Sequence, residues 1–164
     1  KADARRFHDK MGVTDPIERL SAGPIHFAFS GWASVRILPE SRPSADDDFL
    51  LIFEHPFSFE SHAWREKHRY SDTPVCIMNA GYSSGWCAES FRIPLVSAEI
   101  ECVAAGGSRL EGGLEFLHIV VGDAGEPALR TAVELVLADA DHRPPARREK
   151  DLLANEIPVP DPVI

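Results

Sequence analysis

Cys76-Ile77-Met78-Asn79-Ala80-Gly81-Tyr82-Ser83-Ser84-Gly85-Trp86, with Glu99-Ile100-Glu101-Cys102 late in the apolar run that follows, is the stretch on which the reading of this chain turns. Cys76, Glu99 and Cys102 offer thiolate and carboxylate donors of the kinds zinc takes, but a structural zinc site uses four donors and only three are evident. A regular strand sends Glu99 and Cys102 to opposite faces, so joint ligation demands a bulge or a strand end between them. The alternative is that both cysteines are small buried hydrophobes, as free cysteines commonly are.

The middle of the same stretch satisfies G-x-S-x-G, the motif in which a strained strand-to-helix turn exposes a nucleophilic serine. Ser83, followed by Asp141 and His142, even keeps the order Ser, Asp, His of a serine esterase. Against that stand the short chain, the lack of an HGGG-like oxyanion segment before it, and bulky Trp86 directly after it. A helix explains the residues as well, with Gly81 and Gly85, four apart, forming one smooth stripe for close backbone approach.

Working outward, 164 residues make one ordinary domain. An apolar share of 44% against a charged share of 26% is the balance of a soluble globular protein. A net charge of -9 excludes the clustered basic surface that nucleic acid requires. The one basic group, Arg143, Arg147, Arg148 and Lys150, is interleaved with Asp141, Glu149 and Asp151 and broken by proline, so it reads as a solvated tail. Three cysteines cannot all pair, which favours reduced thiols and a cytoplasmic location. No apolar run approaches the ~20 residues of a spanning helix, and the opening residues are too charged for a secretory signal. Walker A, GxGxxG and HExxH patterns are absent, so phosphate and dinucleotide chemistry are not expected.

The pattern predicts helices over 2–11 and from Thr14-Asp15-Pro16 to Leu20, with Thr14 as cap and proline in the first turn. From Pro24, Ile25, Phe27 and Phe29 alternate with His26, Ala28 and Ser30, which predicts a strand with a bulge at Gly31. Strands follow at 49–55, 95–105 and 114–121, helices at 58–68 (capped by Ser58) and from about 74 to 91, and a last helix opens near Pro127. The organisation is a helical segment over 1–23, a domain over 24–140 and a proline-rich tail or linker over 141–164. An α+β fold, an antiparallel sheet covered by helices, results. On the expected strands His26 and Ala28 share a face, as do Phe53 and His55. With Tyr82 and Trp86 they suggest an apolar pocket with one or two convergent polar groups, although core aromatics and satisfied neutral histidines account for the same composition.

Phe57-Ser58-Phe59-Glu60, Pro74-Val75-Cys76, Gly81 to Trp86, and Glu99-x-x-Cys102 followed by Ala104 to Gly106 together resemble the 4-vinyl-reductase-type domain. That domain forms much of the effector-sensing region of sigma-54-dependent activators of aromatic catabolism, the xylene and phenol sensors. The resemblance covers residues 24–121. It implies an α+β fold similar to the ligand-binding domains of nitric-oxide signalling and Golgi transport proteins, a homodimer, and an aromatic effector that relieves repression of an attached output domain. It implies zinc at Cys76, Glu99 and Cys102, but the fourth position, eight residues past Cys102, holds Leu110. It also implies that His26 and His55, at or near the positions where the family holds its effector with a His and a Trp, orient the polar group of the effector; the pattern of the residues themselves adds Phe53, Tyr82 and Trp86 as walls and Ala28 as floor. The expectation is a non-catalytic sensor domain that binds neither nucleic acid nor membrane, with a small serine esterase or a ligand-free dimerisation scaffold as rivals.

Overall fold

The computed structural model describes residues 1–46, 48–67, 71–105 and 116–122, with residues 116–121 as backbone only. The elements run α1 (Ala2–Met11), α2 (Pro16–Phe29), β1 (Ala33–Ile37), β2 (Leu50–Ser58), α3 (Phe59–Glu66), α4 (Ile77–Phe91), β3 (Leu95–Cys102) and β4 (Phe116–Gly122). The strands form one antiparallel sheet in the order β1-β2-β4-β3. The fold is therefore α+β, as the sequence pattern implies. The helix expected from Pro127 and the tail over 141–164 lie outside the described residues.

The alternation of β2 is realised as expected: Phe49 at its entry, then Leu51 and Phe53, turn toward the helices. They meet Leu20 of α2, Cys87, Ala88 and Phe91 of α4, and Leu95 of β3 in one core. Ser58 ends β2 and caps α3, its hydroxyl accepting from the Glu60 N–H at 3.2 Å. Leu50, Ile52 and Glu54 take the opposite side of the strand and are buried as well.

The expected strand at Pro24 is not there. Asp15, not Thr14, caps α2, its Oδ1 accepting from the amides of Ile17 and Glu18 at 2.9 and 3.0 Å with Pro16 in the first turn. The helix then runs unbroken through Pro24, across the expected boundary between 23 and 24, to Phe29. Leu20, Gly23 and Phe27, spaced at three and four, are its buried stripe. Pro24 has no N–H for the Leu20 carbonyl, but α2 packs against α4 on this side and tertiary burial outweighs the local penalty.

The close approach of α2 and α4 runs through Gly23, where an added Cβ would lie 2.9 Å from Trp86 Nε1. Gly81, expected to serve such an approach, faces open space, and Gly85 meets the backbone of Lys1. Gly31 is a helix terminator, not a strand bulge: at φ 71° it closes a Schellman turn, its N–H reaching the Ala28 carbonyl and the Trp32 N–H the Phe27 carbonyl. That turn folds Trp32 back onto Phe27, ring centroids 6.3 Å apart.

Candidate functional site

Two corners of α4 hold the residues with chemical potential. The first is at its N-terminus, where helix amides seek acceptors. Cys76 stands at the cap position without a side-chain cap bond. Glu60 of α3 supplies the acceptors, taking the amides of Met78 at 3.0 Å and Asn79 at 2.9 Å, while Asn79 Nδ2 donates to Glu60 and to Ser58 Oγ. Glu99 takes the amide of Cys76 at 2.7 Å.

The β3–β4 register slips between Glu99 and Glu101, so the bulge required to bring Glu99 and Cys102 together is present. Cys76 Sγ and Cys102 Sγ lie 4.0 Å apart, and one donor atom from each of Cys76, Glu99 and Cys102 falls within 4.8 Å of the others. Glu99 Oε1 is buried without a hydrogen-bond partner among the described residues. Burial pushes the Glu99 carboxyl up to about 8. The Cys76 thiol is raised by its bond to Cys102 and by burial, whereas the Cys102 sulfur is drawn down to about 6, chiefly by its bond to Cys76. Two sulfurs and an oxygen with a free lone pair fit three positions of a zinc site; among the described residues no fourth His, Cys, Asp or Glu joins them. Leu110 lies outside the described residues. Cys87 does not help: it faces the main core, where burial holds its thiol at about 12.

The second corner is aromatic. Trp86, 2% exposed, donates from Nε1 to the Arg19 carbonyl at 2.9 Å and packs against Phe7, His8, His26 and Tyr82. Tyr82, one turn earlier, donates its hydroxyl to Asp3 Oδ2 at 2.7 Å and contacts His26 Nδ1 at 3.3 Å. Burial, then Asp3, raises the tyrosine above its ordinary range. A cavity of about 260 Å³ opens here, lined by Asp3, His26, Phe27, Ser30, Trp32 and Tyr82. A second, apolar cleft of only about 30 Å³ lies between α2, α4 and the sheet, lined in part by Leu20, Phe27, Val35, Phe53 and Trp86. Phe27 belongs to both.

The expected ligand set is thus divided. His26 and Tyr82 line the larger cavity, Phe53 and Trp86 the narrow cleft. His55 is fully buried with its ring on Phe27 and Phe53 and lines neither. Ala28 is exposed and cannot be a floor, because on a helix residues 26 and 28 point roughly 200° apart instead of sharing a face. Phe29, expected in the core, is 93% exposed for the same reason. Sequence reasoning missed Asp3, Ser30 and Trp32. The Gly31-Trp32 pair, a helix-stop signal before a large aromatic, was the one clue to them.

Ser83 does not form a nucleophile elbow. It lies inside α4, 5% exposed, with no strained turn and no strand before it; Asp141 and His142 lie outside the described residues. Ser84 has the structural task, donating to the Ala80 carbonyl and accepting the Ser97 amide of β3 at 2.7 Å. No helix of the described residues is long and apolar enough to cross a membrane.

An antiparallel sheet with helices packed on it is a fold already seen in a solved sensory domain. The phenol-responsive sensory domain of the transcription activator PoxR, solved with phenol, shares it at TM-score 0.60 and 21% sequence identity. The likeness covers 80% of this chain and 64% of that one, so the chain spans somewhat under two thirds of the sensory domain it matches. Comparison with protein-family models and with curated proteins finds no match.

Proposed function

We propose that this chain is a non-catalytic sensor domain of a regulatory protein, and that it binds a small, aromatic molecule in the cavity between α1, α2 and α4. The observation that carries the proposal is the cavity itself: about 260 Å³, walled by Phe27, Trp32, Tyr82 and the His26 ring. A void of about 150 Å³ already accepts benzene, so one ring with a small substituent has room. The fold shared with a phenol-responsive domain supports the same reading. Asp3, His26, Ser30 and Tyr82 are the polar side chains that line the cavity, in place of the pair His26 and His55.

Phe27 links binding to the interior. Its ring separates the cavity from the narrow cleft beneath, so a ligand that displaces it changes the α2–α4 packing around Gly23 and Trp86. A ligand regulates only by favouring one of two states, which requires an output element in the parent protein or in a partner. The homodimer belongs to this proposal too, and native mass spectrometry reads its mass.

Zinc at Cys76, Glu99 and Cys102 is the second part of the proposal. It would tie the start of α4 to the end of β3 and supply no reaction chemistry. Metal analysis of the purified chain checks it: near-stoichiometric zinc, lost in Cys102→Ser, is expected.

Thermal shift and tryptophan fluorescence against a panel of phenols and other monocyclic aromatics test the sensor reading. A raised Tm and altered Trp emission, both lost in Tyr82→Ala, are expected. No response to any of the panel leaves the scaffold reading in its place.

A further inference from the structure

Resting on the sensor reading, the same cavity indicates the charge of what it takes. We propose that it selects an organic cation, a small arylalkyl ammonium, over a neutral or anionic aromatic of the same size.

The ring planes stand as the sides of a box. Phe27 and Tyr82 meet at 89° with centroids 5.1 Å apart, Phe27 and Trp32 at 84° and 6.3 Å, and Trp32 and Tyr82 at 60° and 5.2 Å. The face of an aromatic ring is the negative part of its quadrupole, so whatever ring face is left open to the cavity favours a cation within about 6 Å; one face of Tyr82 is taken by the His26 ring, stacked on it at 5.7 Å and 12°. Trp32 is held in this wall at both ends, through the Schellman turn before it and through the Phe59 N–H, which donates to its carbonyl at 3.0 Å.

The polar groups agree in sign. Asp3 is the one formally charged side chain among the described residues lining the cavity, and none of them is Lys or Arg. The Tyr82 hydroxyl engages only Oδ2 of Asp3, and a carboxylate has a second oxygen able to receive an N–H. Because the tyrosine commits its single proton to Asp3, it offers a ligand its oxygen lone pairs, that is, an acceptor. His26 faces the same pair, its Nδ1 3.3 Å from the tyrosine oxygen and its Nε2 3.8 Å from Asp3 Oδ2. A phenol or carboxylate would face acceptors with few donors to meet it. An ammonium would find a carboxylate, a phenolic oxygen and the Ser30 hydroxyl within one ring of aromatic faces.

Calorimetric titration of the full chain with 2-phenylethylammonium and with 2-phenylethanol, at neutral pH and low salt, separates the possibilities. The ammonium is expected to bind at least about tenfold more tightly. Asp3→Asn should remove most of that preference. Trp32→Leu should weaken the ammonium more than the alcohol. Equal or tighter binding of the alcohol, or a preference that survives Asp3→Asn, overturns the charge assignment and leaves the sensor reading standing. Failure of both probes, together with a panel of neutral phenols, overturns the sensor reading and this inference with it.

Discussion

The thiol corner and the aromatic corner are built on the same helix, with Tyr82 and Trp86 six and ten residues past Cys76, yet they differ in what they leave open. At the N-terminus of α4 almost every donor has found an acceptor: Glu60 and Glu99 hold three amides, and Cys76 and Cys102 face each other at 4.0 Å. At Tyr82 the side chains hydrogen-bond along the rim and leave about 260 Å³ inside it. A dense hydrogen-bonded cluster fixes an element in place, whereas an unfilled aromatic space has room for a molecule. On the proposed reading, the corner with the more conspicuous sequence motif is architectural and the other does the sensing.

That division can be broken by substitution. The largest effect is expected at Trp86, whose buried ring joins α1, α2 and α4: Trp86→Ala should cost about 3–5 kcal/mol by chemical denaturation, with loss of ligand binding. A smaller, opposite dissociation is expected at the thiol corner. Glu60→Ala removes two helix-capping amide bonds and strands Asn79, costing about 1–2 kcal/mol, while ligand affinity at the aromatic cavity stays within about twofold. If Glu60→Ala abolishes binding, the two corners are one site.

The smallest effect is one of pH, and it sharpens the role of α1. His8 is buried against Trp86, and desolvation first, then the Arg19 charge, lowers its pKa below the ordinary 6.5. Its folded value lies below its unfolded one, so its contribution is present above about 6.5 and is lost as pH falls toward the folded value. Glu89, whose two oxygens accept from Arg5 at 2.9 and 3.0 Å, is held below 4.5 by that bond, and its stabilisation is lost at still lower pH. Both groups fasten α1 to α4. Acid titration followed by hydrogen exchange should therefore show α1 amides losing protection before β2 amides, with the upper part of the effect absent in His8→Gln.

Much of the framework was legible because its signals are local. Ser58 before Phe59, Glu60 and Ser61 marked a helix start, and the alternation from Phe49 to His55 marked a strand. The stretch from Pro24 to Phe29 misled because five residues can satisfy a period of two and a period near four at once. The deciding partners, Trp86 for Gly23 and the core for Leu20 and Phe27, lie far along the chain. The same non-locality hid Asp3 and Trp32. Asp3 reaches Tyr82 across 79 positions, and Trp32 enters the cavity wall only after Gly31 reverses the chain. The thiol triad was visible earlier, yet it needed the bulge between Glu99 and Glu101 to converge, which no spacing rule supplies.

The central claim, that a small aromatic molecule enters at the aromatic corner, is tested most directly by following the three tryptophan indole N–H resonances during titration with 2-phenylethylammonium. The account predicts a saturable shift largest at Trp32, a smaller one at Trp86 across the Phe27 wall, and least change at Trp64 on α3. Shifts absent at Trp32, or centred on amides around Cys76 and Cys102 instead, would contradict it.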